Sequence, residues 1–506
     1  MRAAADPPAR RIPTGKRPGA RAGTNLAAWA ASWATLVCGG AMVLSGLVGL
    51  ADLGPAVALA GLGLGCAAAG WLGVRRARLP AHPPPMAIFA AACGAWLMMI
   101  LTSTAAYLLT GATGSLGIAA FESVAGFCTT NISGLAGIQS LPASVLLWRA
   151  LTQWLGGFAA LALLAAALPL HVPALVLPGD RAGVPDRASA PPFKTQLRRM
   201  AVVYGALGGL CAAAYGLAGM GALDAFSYAF TTVSTGGFGN YPGGLGHFDS
   251  AAVESAATVF MALAGVSAST LWWAVRGRWG VLWHSFELRA YLLLLAVGTA
   301  ALAALTWSDG GVQALRRAGV AVTAASSSTG FEPASWSGWP WGAQALAVAL
   351  IATGGMAGTA GGGFQMRRAI AAARYAYREL VTEIHPHTVH VVKIGRRSVA
   401  ERPLALLNGY QILFAAAVMA GVFGLSLAGM DLWGGAAASI SALATMGPAP
   451  GADLGTLGGG ERSVLAVLML LGRLSFFPLV VVAGAAATGA RRLLDTERHG
   501  GAGRRS

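Results

Sequence analysis

Cys128-Thr129-Thr130-Asn131, Val233-Ser234-Thr235-Gly236, Ser327-Ser328-Thr329-Gly330 and Ala444-Thr445-Met446-Gly447 each sit in a polar break between two apolar stretches. Small hydroxyl residues followed by Gly, placed at membrane depth, suit a filter built from backbone carbonyls. Irregular backbone is tolerated at that depth only where it is buried in protein or lines water. Four such breaks in one chain therefore point to one shared aqueous path, with each peptide supplying one quadrant.

Reading outward from the peptides, the chain is 56% hydrophobic and only 11% charged. Several stretches reach the length of about 20 apolar residues that a helix needs to cross a bilayer. Short alternating segments, the signature of a membrane barrel, are absent. The expected spans are 26–50, 54–75, 87–110, 146–170, 200–220, 252–275, 288–307, 342–366, 404–428 and 463–489. The fold class is thus an all-α polytopic membrane protein. It has four pseudo-repeated helix–pore-helix–helix units around one pore, plus an extra N-terminal helical pair.

The expected organisation is a basic tail (1–25), the helical pair and a Pro-rich linker (26–85), and then four pore units. These occupy 86–195, 196–285, 286–402 and 403–490, and a second basic tail follows at 491–506. The net charge of +16 comes largely from Lys and Arg in residues 1–25, 75–85, 171–199, 276–289, 367–402 and 491–506. These segments alternate with poorly basic ones, the pattern of cytoplasmic loops. Both termini are therefore expected in the cytoplasm, with the first span a signal anchor and not a cleaved peptide. Nucleic-acid binding is not needed to explain the charge. Acids gather in the opposite segments: Asp224, Asp249, Glu254, Asp309, Glu332, Asp431, Asp453 and Glu461. There they would raise the local cation concentration.

The five cysteines form no CxxC, so neither a metal site nor a disulfide framework is expected. His385, His387 and His390, with Glu383 nearby, have a spacing that could hold a metal. Pro386 argues against a regular helical site, and a solvated cytoplasmic segment is the favoured reading. A membrane enzyme would need clustered acids or a nucleophile at one interface, and none stands out. A proton-coupled carrier is disfavoured because intramembrane carboxylates are nearly absent.

The ordered motifs resemble the Trk/Ktr/HKT superfamily of potassium transporters. They are Glu122-Ser123-Val124-Ala125-Gly126-Phe127, Leu147-Trp148-Arg149-Ala150, Gln153-Trp154-Leu155-Gly156-Gly157, Ser234-Thr235-Gly236-Gly237-Phe238, Ser328-Thr329-Gly330-Phe331, Gly358-Thr359-Ala360-Gly361-Gly362 and Gly472-Arg473-Leu474. The extra helical pair is similar to the TrkH branch. The resemblance implies a potassium-uptake permease of channel-like mechanism in the bacterial inner membrane, and no enzymatic activity. It also implies a homodimer and a separate cytosolic TrkA-like regulatory subunit. No nucleotide-binding loop occurs in this chain, so nucleotide would bind that partner. The only expected ligand here is the permeant K⁺, or Na⁺, at the filter.

The filter residues implied are Thr130, Asn131, Thr235, Gly236, Thr329, Gly330, Met446 and Gly447. Inward-pointing carbonyls favour positive φ, which Gly adopts cheaply, so Gly236, Gly330 and Gly447 are expected to supply it. Asn131 stands where the family usually has Gly. Asn tolerates the left-handed region better than most residues, yet its side chain would narrow one quadrant. In the plant HKT branch, a Ser at this quadrant goes with sodium permeation. A Na⁺-permeable or weakly selective cation permease is accordingly the alternative function.

Beneath the filter, Gly358, Thr359, Gly361, Gly362 and Gly363 are the implied intramembrane gating loop. Each Gly costs about 1 kcal/mol against Ala in a helix, so this stretch is not expected to be a regular helix. Arg473 is the implied electrostatic barrier. A mid-membrane charge costs about 2.5–3.5 kcal/mol on insertion scales, which a water-filled pore would offset. Two positions depart from the family pattern below the filter: Phe364 stands for a common Lys, and Ser475 for a common Glu.

Overall fold

A computed structural model of the chain describes residues 20–77, 85–167, 193–309, 311–332, 336–385, 391–394, 397–398 and 401–476, and the single positions 479 and 484. The extra pair is α1 (Ala20–Val48) and α2 (Leu53–Arg76). Unit one follows as α3 (Pro85–Leu109), α4 (Leu116–Phe127) and α5 (Ala143–Ala167). Unit two is α6 (Phe193–Leu217), α7 (Ala222–Val233), α8 (Ala251–Ala264) and α9 (Ala268–Val275), with a short α10 (Trp279–Trp283) leading on. Unit three is α11 (Phe286–Leu305), α12 (Val312–Ser327) and α13 (Trp341–Thr353), extended by α14 (Met366–Ile384). A two-stranded ribbon, β1 (Lys393–Ile394) against β2 (Arg397–Ser398), precedes unit four. That unit is α15 (Glu401–Leu427), α16 (Leu432–Leu443) and α17 (Gly459–Leu474).

The short helices α4, α7, α12 and α16 are the four expected half-length helices. Their packing closes a ring. The last helix of each unit packs on the short helix of the next: α5 on α7, α8 on α12, α13 on α16, and α17 back on α4. The extra pair lies outside this ring, with α1 against α2, α3 and α5. Leu and Ile side chains such as Leu64, Leu293 and Ile412 point outward, as helices facing lipid require.

Small residues let the helices meet at backbone distance. A Cβ at Gly156 would strike the carbonyl of Phe127 at the end of α4, and one at Gly472 would strike that of Leu443 at the end of α16. These two glycines hold equivalent places behind two short helices.

Three expected spans differ from the structure. The span at 252–275 is two helices bent by 104° at residues 265–267. The bend is stabilised from the third unit, because the Gly265 carbonyl accepts the Met356 amide and the Gly358 carbonyl accepts that of Ala268. The span at 342–366 stops at Thr353, where Gly354 takes φ of 68° and the Gly-rich stretch leaves helical geometry. In the last span, read as 463–489, the helix Gly459–Leu474 ends at the cap residue Ser475, and most of 477–489 lies outside the described residues. Seven described helices are long and apolar enough to cross a membrane, or eight if the bent pair counts as one.

The packing yields a test. Gly472→Ala should cost roughly 2–4 kcal/mol through backbone overlap, lowering the thermal midpoint of the solubilised protein. Gly409→Ala, on an open face of α15 where a Cβ meets nothing, should leave that midpoint unchanged or raise it. Equal midpoints for the two variants would contradict the backbone contact.

Candidate ion pathway

Each short helix ends at one of the four peptides, so four helix C-termini converge. Unsatisfied terminal carbonyls and the macrodipole make a helix C-terminus partially negative. Four together favour a cation at their focus without any buried carboxylate.

The backbone register of the peptides is consistent around the ring. Thr129, Thr235, Ser328 and Thr445 have φ of 51°, 57°, 63° and 53°. Two residues later come Asn131, Gly237, Gly330 and Gly447, of which the three glycines have φ of 76°, 79° and 115°. This corrects two expectations. In the second quadrant the left-handed glycine is Gly237, one position after the expected Gly236, whose φ is not positive. Asn131 is also not among the positive-φ residues. The missed strain lies instead in hydroxyl residues. A β-branched Thr at positive φ is a genuine outlier, and strained backbone of this kind clusters at functional sites. The sequence offered the signal as a hydroxyl residue at the same place in every quadrant.

The quadrants touch in order. A Cβ at Gly237 would collide with the Thr329 carbonyl oxygen, one at Gly330 with the Met446 carbonyl oxygen, and one at Gly447 with the backbone of Asn131. Glycine is thus required by close approach as well as by φ. The first quadrant departs from this pattern. The Asn131 amide N–H donates to the Met446 carbonyl at 2.9 Å, and its Nδ2 donates to the Gly330 carbonyl at 2.7 Å. The side chain therefore binds a carbonyl of the opposite quadrant.

α5 holds two quadrants from behind. Gln153 Nε2 donates to the Gly236 carbonyl at 2.9 Å and, at 3.4 Å, to that of Thr130, while its Oε1 accepts the Phe238 amide at 3.0 Å. One turn earlier, Arg149 Nε donates to Glu122 Oε1 at 2.8 Å and Arg149 Nη1 to the Gly239 carbonyl at 2.9 Å. Glu122 Oε2 accepts the Ser133 hydroxyl and the Gly134 amide, both at 2.9 Å. Both charges are fully buried, and removing one partner of such a pair costs about 3–5 kcal/mol. The pair, Glu122–Arg149, ties α4, α5 and the segments leaving quadrants one and two. Sequence reading had these residues only as family motifs.

The Gly-rich stretch 354–365 lies against the inner ends of quadrants three and four. A Cβ at Gly361 would sit 2.8 Å from the Ser327 carbonyl, and one at Gly362 would strike Thr445 Oγ1. Gly358 and Gly363 have φ of 90° and 85°, and the Thr359 hydroxyl donates to the Met356 carbonyl at 3.1 Å. Glu287, at the start of α11, anchors the stretch. Its Oε1 accepts the Ala357 amide at 2.7 Å, and its Oε2 pairs with Arg367 of α14. Phe364 packs on Tyr410 and Phe414 of α15, with centroids 5.8 and 5.9 Å away. An aromatic contact therefore fills the place of the common Lys.

Arg473 is buried, and its guanidinium donates to the Ala360 carbonyl and, at 2.9 Å, to that of Gly156. Its Nε has no partner, and no carboxylate pairs with it among the described residues. It bridges the Gly-rich stretch to α5 while keeping its charge. Ser475, two residues on, has φ of 63° and caps α17.

Among the described residues no group of three His, Cys, Asp or Glu is placed to hold a metal ion. His387 and His390, the 171–192 loop, the 491–506 tail and residues 1–19 lie outside the described residues.

A closed ring of helix–short-helix–helix units, with strained backbone at its centre, defines a polytopic membrane protein of the four-quadrant transport class. Residues 89–487 match the family model TrkH, described as a cation transport protein. A "Trk system potassium uptake protein TrkH" of Halomonas elongata is 33% identical over 406 residues, covering 76% of this chain and 83% of that one. The protein of the same name from Escherichia coli K12 is 28% identical over 375 residues, covering 72% and 77%. The crystal structure of the potassium transporter TrkH from Vibrio parahaemolyticus superimposes with a TM-score of 0.82 over 91% of this chain and 98% of that one, at 24% identity, which establishes the fold. The chain belongs to the TrkH family of cation transport proteins, a family of transporters and not of enzymes.

Two outcomes follow from the geometry. Gln153→Leu leaves the buried Gly236 carbonyl and Phe238 amide unpaired, at about 1–3 kcal/mol each. Rubidium uptake should fall at least severalfold while Gln153→Glu retains more of it; equal uptake by Gln153→Leu and the parent would refute the clamp. Separately, burial pushes the carboxyl of half-buried Glu332, two residues past Gly330, up to about 7. Between pH 8 and pH 6 this carboxylate takes up a proton and the mouth loses a negative charge. Apparent affinity for the permeant cation should weaken a few-fold over that interval, and Glu332→Gln should flatten the dependence.

Proposed function

We propose that this chain is a potassium-uptake permease of channel-like mechanism, driven by membrane potential. The single observation that carries the reading is the fourfold recurrence of a left-handed hydroxyl residue where four helix C-termini converge. Carbonyls of Thr130, Asn131, Thr235, Gly236, Thr329, Gly330, Met446 and Gly447 would replace the hydration shell of K⁺. Gly237 joins this set by register. The 33% identity to a relative named as a potassium uptake protein supports the choice of ion.

Gating is assigned to the intramembrane stretch containing Gly358, Thr359, Gly361, Gly362 and Gly363, with Arg473 as the barrier beneath the filter. A fixed cation in the path repels permeant cations strongly at low dielectric, and the two carbonyls holding Arg473 orient it without neutralising it. The Glu287–Arg367 pair links this stretch to α14, so force on α14 would reach the gate. That force is assigned to a separate cytosolic, nucleotide-binding, TrkA-like subunit. The protein is placed in the bacterial inner membrane as a homodimer with both termini in the cytoplasm.

Asn131 supports a second reading, a Na⁺-permeable or weakly selective cation permease. Its bond to the Gly330 carbonyl makes an amide compete with the ion for one ligand and puts side-chain bulk at that level of the ring. A smaller site favours a smaller ion where cavity size governs selectivity.

The deciding experiment is rescue of a K⁺-uptake-deficient bacterium at low external K⁺, with and without a co-expressed regulatory subunit. Growth in either condition is expected, and failure in both would sink the transport assignment. In isotope flux, Asn131→Gly should raise the K⁺/Na⁺ ratio severalfold, and an unchanged ratio would remove Asn131 from selectivity. Arg473→Gln should increase basal cation leak.

A further inference from the structure

At the end of the bundle where α6 and α11 begin, the bent α9 and the short α10 form a ledge that the ion pathway does not use. α9 leaves α8 at 104°. Its half-buried Trp272 carries two guanidinium groups over its ring, Arg276 at 4.8 Å and Arg199 of α6 at 5.8 Å. Arg278 lies 5.0 Å over Trp273. Beyond them Val275, Trp279 and Trp283 are 79%, 60% and 74% exposed. Arg276 and Arg278 are exposed, as are Lys194 and Arg198 near the start of α6 and Arg289 near the start of α11.

Among the described residues no carboxylate pairs with Arg199, Arg276 or Arg278. Glu287, the nearest acid in sequence to Arg276 and Arg278, is buried and engaged by Arg367 and Ala357. Asp224, Asp249 and Glu254 belong to the other end, at the starts of α7 and α8.

We propose that this ledge binds the headgroups of anionic phospholipids. Three features select a lipid surface over a soluble acidic partner. The ledge begins where two bilayer-length helices start, which sets it at the boundary of the hydrocarbon. Exposed Trp side chains are amphipathic and prefer that boundary. A guanidinium held over an indole by its Cζ can still turn N–H groups to a phosphodiester, and Arg matches phosphate geometry in a bidentate way. The charge then acts where an anionic leaflet attracts bases most strongly, within a Debye length.

The test uses the full chain in nanodiscs containing spin-labelled phosphatidylglycerol or phosphatidylcholine, reading the motionally restricted lipid fraction. The parent should prefer phosphatidylglycerol. The Arg276→Gln/Arg278→Gln pair should reduce that preference severalfold, whereas the Arg276→Lys/Arg278→Lys pair should keep most of it. Arg317→Gln, exposed in α12 beside the Arg316 that pairs with Glu254 at the other end, should leave it intact, and free glycerophosphate at millimolar level should not compete. Preference unchanged in the double Gln variant, or lost equally in the Arg317 variant, would overturn the proposal. So would binding of a soluble acidic polypeptide with no lipid preference. Trp279→Ser/Trp283→Ser supplies a second variant if the arginine pair fails to fold, with a reduced restricted fraction expected and an unchanged one counting against the ledge. The readout does not depend on ion movement, so its failure would leave the permease reading standing, and the reverse holds too.

Discussion

Backbone polar groups at membrane depth must find partners inside the protein, and the whole arrangement follows from that requirement. Four peptides leave helical geometry in the middle of the bundle, so their carbonyls and amides cannot be satisfied by a helix ladder or by lipid. Some of them face the axis. The rest are met by a few polar side chains brought in from neighbouring elements: Gln153 for quadrants one and two, Ser441 for the Gly447 amide, and the Glu122–Arg149 pair for the segments leaving the filter. The same solution recurs lower down, where Glu287 and Arg473 hold the Gly-rich stretch.

This economy explains why buried charge is so sparse and so fully engaged. Glu122, Arg149, Glu287 and Arg367 are near-complete in their bonding, as buried ions must be. Arg473 differs, being satisfied only by carbonyls on two nitrogens. A charge that is oriented but not cancelled suits a barrier, whereas the neutralised pairs suit scaffolding.

The quadrants share a backbone plan but are not chemically equal. Three place a glycine against the next quadrant, and the first places an amide side chain across the ring. The family fold accepts this because Asn131 does not need positive φ, and its Nδ2 gains a carbonyl partner. The sequence flagged the departure and expected the side chain to narrow one quadrant, but it named no partner for it. Its structural effect is a bond to a residue 199 positions away.

Much of the fold was legible in the chain itself. Length of apolar runs, alternation of basic loops and the repeated hydroxyl–Gly breaks determine a polytopic helical protein with four related units, because bilayer thickness and backbone satisfaction leave few other solutions. The Gly content of 354–363 similarly forecast an interrupted helix. What only tertiary structure decided was register and partnership. A one-residue slip between Gly236 and Gly237 is invisible in Ser-Thr-Gly-Gly, since either glycine could turn left-handed; neighbouring quadrants choose, because only Gly237 abuts the Thr329 carbonyl. The 104° bend, the Gln153 clamp and the Glu287–Arg367 anchor share this origin. Each is a bond between groups far apart in sequence, and local propensity carries no information about which distant carbonyl will need a donor.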